Sequence, residues 1–383
     1  MHIAFLTPEF PHPRLSSSGG IGTSILNLAK GLTQLGHKVT VLVYGQRADE
    51  EFDENGIRVM AIRNLKLKGF SRWLTQRKIR QIINGLVDTE QLDLVEAPDW
   101  TGITSNIRPK CPVVIRLHGS DTYFCHLDGR PVKPRNKRQE RKALERADHI
   151  ISVSAFTAEV TRSLFGLKSE IPVIPNSIDI VKFEPSGTST NAGKVLYFGT
   201  LIRKKGLLEL PYIFNALAAQ NAQATLELVG KDSFYIITGS PSTWELMQPL
   251  FTETALHRVT YSGAVSYSEV RKKIDEAEVC VFPTFAEALP VSWIEAMAME
   301  KSVVASSIGW APEVITDGVD GILVHPASHT EFAGYIDDLL NDPEGRKIMG
   351  KMARKRILSN FASDVVALQN ESFYRSIISR TNT

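Results

Sequence analysis

Cysteine is scarce: Cys111, Cys125 and Cys280 are the only three in 383 residues, far apart and without a CxxC pair. That excludes a disulfide framework and a cysteine-built zinc site, and leaves buried thiols as the expectation. Net charge is nearly absent too, because 44 Lys and Arg face 42 Asp and Glu for a balance of +2. No global field therefore points to a nucleic-acid partner. No apolar run approaches the length of a membrane span, and "MHIAFLTPEFPHP" goes straight into a strand pattern rather than a signal peptide's basic start and apolar stretch. The expectation is a cytoplasmic protein. What is present is globular in kind, with 43% hydrophobic and 22% charged residues. The length is too great for one ordinary core and comfortable for two α/β domains.

Short β-branched runs alternate with amphipathic helical stretches from end to end, the pattern of parallel sheets with crossover helices. In the first half "HIAFLT", "KVTVLVY", "IRVMAI", "LDLVEA", "PVVIRLHG", "HIISVS" and "IPVIPN" read as strands. Ile25, Leu28, Leu32 and Leu35 recur at helical spacing between Ile21 and Gly36. The pattern lapses into "KFEPSGTSTNAG", residues 182–193, which predicts a domain boundary. Strands resume with "KVLYFGT", "TLELVGK", "RVTYSGAV", "EVCVFPT", "SVVASSI" and "GILVHP". The expected division is 1–183 and 184–362, with a last helical segment, 363–383, packing back on the first domain. Two such Rossmann-like domains facing each other would form a cleft lined by strand ends, where open parallel sheets place their ligands.

Four stretches stand at such ends. "EALPVSWIEAM" sets Glu287 just ahead of Pro290, read as the first residue of a helix, and Glu295 inside that helix. A helix start offers free N–H groups and a favourable dipole to a phosphate. Carboxylates on either side could accept hydroxyl hydrogen bonds, Glu287 from a sugar and Glu295 from a ribose. The alternative is a helix-start charge at Glu287 and a solvated helix face at Glu295. "SSSGGIG" brings Gly19 and Gly20 to a turn where amides could face a phosphate, or where the chain is merely flexible. A dinucleotide fingerprint fails because Ile25 stands where its third glycine belongs. "RLHGSD" ends a strand with His118, a structural histidine or a site residue, followed by Asp121. "FGTLIRKKG" sets Lys205 before Gly206, suited to a departing diphosphate or to an ordinary charged surface.

Residues 64–86, "NLKLKGFSRWLTQRKIRQIINGL", carry six basic residues, no acid, and a cluster of Phe70, Trp73 and Leu74. A second basic stretch runs from Arg130 to Arg146. Such segments suit an anionic membrane surface, or else Ile79, Ile82, Ile83 and Leu86 form a core face and the charges are solvated.

The segment "FPTFAEALPVSWIEAMAMEKSVVASSIGWAPEVITDGVDGILV" resembles the donor-binding signature of the family 4 retaining glycosyltransferases, with their E-x7-E motif at Glu287 and Glu295. The similarity extends over essentially the whole chain through "SSSGGIGTSILNLAKGL", "RLHGSD", "IPNSID" and "FGTLIRKKG". It implies a GT-B fold and transfer of a hexosyl unit from a nucleotide-sugar to a glycan, glycolipid or other hydroxyl acceptor. A UDP-sugar is the default donor and GDP-mannose the alternative. The family places Gly19 and Gly20 near the donor diphosphate and His118 at the donor sugar, with Asp121 on the acceptor side. Gly199, Thr200, Arg203, Lys205 and Val265 are expected at the donor, as are Ala288, Leu289, Pro290 and Val291 around the helix end. One departure stands out, since the family usually has arginine where this chain has Thr200; Arg203 could reach the same phosphate. The chain has no Asp-x-Asp triplet, so the ligands for a metal-bridged diphosphate are lacking and no metal or other cofactor is expected. Front-face substitution is the expected mechanism. The rivals are a nucleotide-sugar isomerase, which would need further acid/base carboxylates, and a non-catalytic nucleotide-sugar-binding subunit.

Overall fold

The computed structural model describes residues 1–16, 18–187, 189–234 and 239–381. Ser17 of the glycine-rich turn, Thr188 of the polar stretch and residues 382–383 lie outside the described residues. The chain divides into two compact units, Met1–Ile178 with Phe361–Thr383, and Asp179–Asn360. The first crossing thus falls five residues ahead of the 183/184 boundary drawn from the sequence.

The first unit is built on a seven-stranded sheet: β1 (His2–Thr7), β2 (Lys38–Gln46), β3 (Glu50–Glu54), β4 (Ile57–Arg63), β5 (Leu94–Pro98), β6 (Val113–Leu117) and β7 (His149–Ser152). Their spatial order is β3-β4-β2-β1-β5-β6-β7, parallel except for the β3–β4 pair. Every residue of β1, β5 and β6 is buried, as strands covered on both faces require. The helix Gly20–Gln34 packs Ile25, Leu28 and Leu32 against β1 and β2 residues of this core.

One expected strand is absent and one strand appears that the sequence pattern does not announce. "IPVIPN" is not a strand; only Val173 forms an isolated bridge, to Ser152. Pro172 and Pro175 flank the run and have no N–H to give to a ladder. Conversely, the acidic "EEFDE" forms β3, an antiparallel edge strand, although it lacks β-branched residues. Its signal is Asn55–Gly56, both at positive φ, the turn that hairpins favour.

The last helix, Ser363–Thr381, lies against the Gly20–Gln34 helix, and the approach is close: a Cβ on Gly31 would meet Ala367 Cβ and the Ser363 carbonyl at 2.8 Å. It also completes a buried polar network. Arg116 Nε and Nη2 donate to the two carboxylate oxygens of Glu96 at 2.7 and 3.0 Å, and Nη2 also donates to Asn370 Oδ1. Tyr374 Oη donates to Glu96 Oε2 at 2.7 Å.

The second unit holds β8 (Lys194–Phe198), β9 (Thr225–Val229), β10 (Val259–Tyr261), β11 (Val279–Phe282), β12 (Ser302–Ser306) and β13 (Ile322–Val324). All are parallel, in the order β10-β9-β8-β11-β12-β13. The three cysteines are free and buried.

Because removing one partner strands the other charge in the interior, Arg116→Met should lower stability by about 3–5 kcal/mol, read from the urea midpoint at constant m-value.

Candidate functional site

Strand order in the second unit reverses between β8 and β11, and crevices beyond the carboxyl ends of such a pair are where open α/β sheets take ligands. The loop after β8 begins at Gly199, with φ +141°, and its N–H donates to the Val229 carbonyl at 2.9 Å. Tyr197 Oη then donates to the Thr200 carbonyl at 3.1 Å, fixing the bend. Arg203–Lys205 make one 3-10 turn that ends at Gly206, φ +73°. A Cβ on Gly206 would lie 1.6 Å from the Pro283 carbonyl oxygen, so the loop after β11 passes directly over it. The N–H groups of Phe285 and Ala286 donate to the Lys204 carbonyl at 2.8 and 3.1 Å. These contacts clamp the two loops together. Lys205 Nζ consequently stands 3.2 Å from Glu287 Oε1 and beside Gly199, where a Cβ would meet it at 3.4 Å.

The two glutamates differ electrostatically. Burial disfavours the charge on Glu287, whose side chain is 16% exposed, but Lys205, Lys204 and the Ala288 N–H outweigh it and hold the carboxyl below the usual range. Glu295 is 5% exposed, which removes the solvated-face reading. Burial pushes its carboxyl up to about 7, against the Tyr267 hydroxyl that donates to Oε1 and the charges of Lys182 and Lys205. Tyr267 is itself held by the Lys182 ammonium, 3.9 Å from its ring centroid, and by the Phe183 ring set edge-on at 5.5 Å.

Pro290 is the N-cap, not the first helical residue; the helix runs Val291–Ala298 and has no side-chain cap. With ψ 114° the proline is extended, turning the chain into the helix one residue later. Ala288, Leu289 and Pro290 are buried and Val291 is half-buried. Thr200 and Arg203 are exposed, and Arg203 forms no ion pair among the described residues. Val265 is half-buried just before Ser266, which forms a capping box with Glu269 at the start of the Tyr267–Glu276 helix. One helix start thus carries both Val265 and the tyrosine that binds Glu295.

In the first unit the order reverses between β1 and β5. Gly19 is the N-cap of the Gly20–Gln34 helix, and a Cβ on Gly20 would meet nothing within 4 Å. The Gly22 N–H already has an anionic partner, Glu9 Oε1 at 3.0 Å. His118, 9% exposed, follows β6 and its N–H donates to Asp99 Oδ1 at 3.0 Å. Burial and the Arg116 charge push its imidazole down to about 3, so it is neutral at physiological pH. Burial pushes Asp99 up to about 8 despite the N–H bonds it accepts. Asp121 opens the helix Asp121–Leu127; its carboxylate accepts from Asn136 Nδ2 at 2.9 Å and lies 3.9 Å from the Arg130 guanidinium. Among the described residues no three or more His, Cys, Asp or Glu side chains gather into a metal-binding group.

Residues 18–182 match the model of Glycosyltransferase Family 4, and residues 180–356 match that of Glycosyl transferases group 1. The chain belongs to these glycosyltransferases. Alpha-maltose-1-phosphate synthase of Mycolicibacterium smegmatis is 26% identical over 98% of this chain and 100% of its own. An uncharacterized glycosyltransferase of Methanocaldococcus jannaschii is 25% identical, covering 98% of each chain. Among solved structures, sucrose-phosphate synthase from Thermosynechococcus elongatus superposes with a TM-score of 0.82 at 21% identity, covering 99% of each chain. Anabaena HepE in complex with UDP-glucose gives 0.75 at 21% identity, over 98% of this chain and 100% of that one. These similarities establish the GT-B fold of this glycosyltransferase.

Sequence reasoning missed Tyr267 and Lys182 beside Glu295, and Glu9 at the helix start. Nothing in local pattern marks the first two, because Tyr267 meets Glu295 only when helices from different crossovers pack.

Two measurements check this geometry. Gly206→Ala, strained at φ +73° and blocked by Pro283, should cost about 2–3 kcal/mol in denaturant unfolding. Between pH 4.5 and about 7 the folded Glu295 holds a proton that the unfolded chain releases, so its contribution to stability falls as pH rises through that window. Glu295→Gln keeps an acceptor for Tyr267 and should show a higher Tm than the parent at pH 8, with the gap closing toward pH 4.5.

Proposed function

We propose that this glycosyltransferase moves a hexosyl unit from a nucleotide-sugar to a hydroxyl acceptor with retention at the anomeric carbon. The carrying observation is the Lys205–Glu287 pair at the β8–β11 reversal, beside a helix start without a side-chain cap. In this reading the donor belongs to the second unit. Its diphosphate lies by Lys205, Arg203 and the Val291 helix start, with Gly199 leaving space for close approach. Glu287, kept ionised by Lys205 and Lys204, accepts from sugar hydroxyls, and Glu295 from the ribose. Thr200, Val265, Ala288, Leu289 and Pro290 complete the donor surroundings. The strand ends of the first unit, with Asp121, are assigned to the acceptor. His118 acts as a neutral hydrogen-bonding group, not as an acid, because its imidazole is uncharged at physiological pH.

The reaction is a front-face substitution. The bond from C1 to the diphosphate oxygen breaks, the bond from C1 to the acceptor oxygen forms on the same face, and the acceptor's proton passes to the departing phosphate oxygen. Lys205, Arg203 and the helix dipole stabilise the charge that develops on the diphosphate, in the place a metal would take elsewhere. Glu287 is tied to Lys205 and is assigned no covalent role. A UDP-sugar is the favoured donor, supported by the UDP-glucose bound to HepE; GDP-mannose is the alternative.

A thermal-shift and calorimetric panel of UDP, GDP, ADP and their sugars, with and without EDTA, tests the reading. One nucleotide should stabilise the protein, with no effect of EDTA and weaker binding by Glu295→Ala. Lys205→Ala should lose roughly 10²–10³ in kcat. Absence of any nucleotide effect, or an inverted product from donor labelled at C1, would overturn it.

A further inference from the structure

The sugar chemistry leaves one feature of the first unit unused, the basic and aromatic face at residues 64–80. The helix Ser71–Glu90 buries Ile79, Ile83 and Leu86 on its inner side. Its outer end carries Leu67, Phe70 and Trp73, which are 55%, 61% and 50% exposed. This knuckle is built rather than frayed. The Leu67 carbonyl accepts the N–H groups of Phe70 and Ser71, each at 2.9 Å, while the Ser71 hydroxyl bonds both the N–H and the carbonyl of Leu67 at 2.8 Å. Gly69, at φ +81°, makes the bend that turns Phe70 outward. Three large apolar side chains held together in water by a fixed turn forgo the stabilisation that burial would give, and such a cluster marks a surface that meets a partner.

The charges around the knuckle point to its partner. Lys66 and Lys68 are exposed and form no ion pair among the described residues, and the Arg77 guanidinium lies 5.7 Å from the Trp73 ring centroid. Lys78, by contrast, is neutralised by Asp49 at 2.5 Å, and Arg72 turns inward to the carbonyl oxygens of Thr101 and Gly102 at 2.8 and 2.7 Å. The basic face continues onto the helix Pro134–Leu144, where Arg135, Lys137 and Arg138 are exposed. Arg135 is close enough for its charge to oppose that of Arg72, and Asn136 of the same helix holds Asp121. Basic side chains thus stand on both the Ser71–Glu90 and the Pro134–Leu144 helices, the second of which also holds Asp121.

We propose that this surface docks on an anionic lipid bilayer. Phe70, Trp73 and Leu67 enter the headgroup boundary while Lys66, Lys68 and Arg77 meet lipid phosphates, an arrangement of aromatic anchors set among cations that an interfacial surface requires. For the transferase reading this orientation favours a lipid-linked acceptor. That corollary rests on the reading, whereas bilayer binding does not.

Flotation of the full chain with vesicles of phosphatidylglycerol and phosphatidylcholine in equal parts, against phosphatidylcholine alone, tests the proposal at low salt. Flotation should occur with the anionic vesicles only. Phe70→Ser with Trp73→Ser, and separately Lys66→Glu with Lys68→Glu, should each weaken it by roughly tenfold or more. All four positions are exposed, so the unfolding midpoints should stay at the parent value. No flotation of the parent at low salt, equal flotation with both vesicle types, or undiminished flotation of both variants would overturn the proposal.

Discussion

The site of the second unit depends on one close approach, that of Gly206 to the Pro283 carbonyl. No side chain fits there, and the αL conformation at Gly206 is one that glycine adopts without strain. Because the two backbones touch, the Lys204 carbonyl can take two N–H groups from the neighbouring loop. Lys205 and Glu287 are then brought within ion-pair distance by main-chain contacts, not by their own attraction. An ion pair still partly open to water would alone contribute little to such an arrangement. Covalent geometry at a glycine does the positioning, and the charges inherit it.

With the backbone fixed, identical side chains behave differently. Glu287 and Glu295 are both withdrawn from water, and burial disfavours charge on each. Two lysines and an N–H reverse that effect at Glu287, whereas the main direct partner of Glu295 is the hydroxyl of Tyr267. A neutral donor offsets less desolvation than a cation does. One carboxylate is thus committed to its charge while the other stands near the balance point at physiological pH. The same contrast holds in the first unit, where His118 loses its charge to burial and to Arg116, whose own charge is kept by Glu96.

Much of this was legible in the sequence because the strands are short, β-branched and regularly spaced. "HIAFLT" and "KVLYFGT" announce the central strands, and the glycines that follow mark the loops that leave their ends. The family resemblance added what no spacing could, namely which loops to propose for a sugar donor. The limits are equally specific. "EEFDE" was invisible because edge strands need no apolar residues, and "IPVIPN" misled because its apolar pattern outweighed the prolines that break it. Pro290 was placed one residue too deep, a shift within the ordinary uncertainty of helix ends. Tyr267, Lys182 and Glu9 were missed since their partners are distant in sequence and their side chains common.

The return of the chain to the first unit has a consequence for how the molecule comes into being. Residues 179–360 separate Ile178 from the segment that carries Asn370 and Tyr374. At ordinary translation rates that interval lasts roughly ten to forty seconds. Throughout it, Glu96 and Arg116 face an unfilled seam, and the Gly31 side of its helix lacks the Ala367 surface that covers it. The nascent first unit is therefore finished last although it is begun first, and the final helix acts as the closing member of a structure whose opening strand left the ribosome long before.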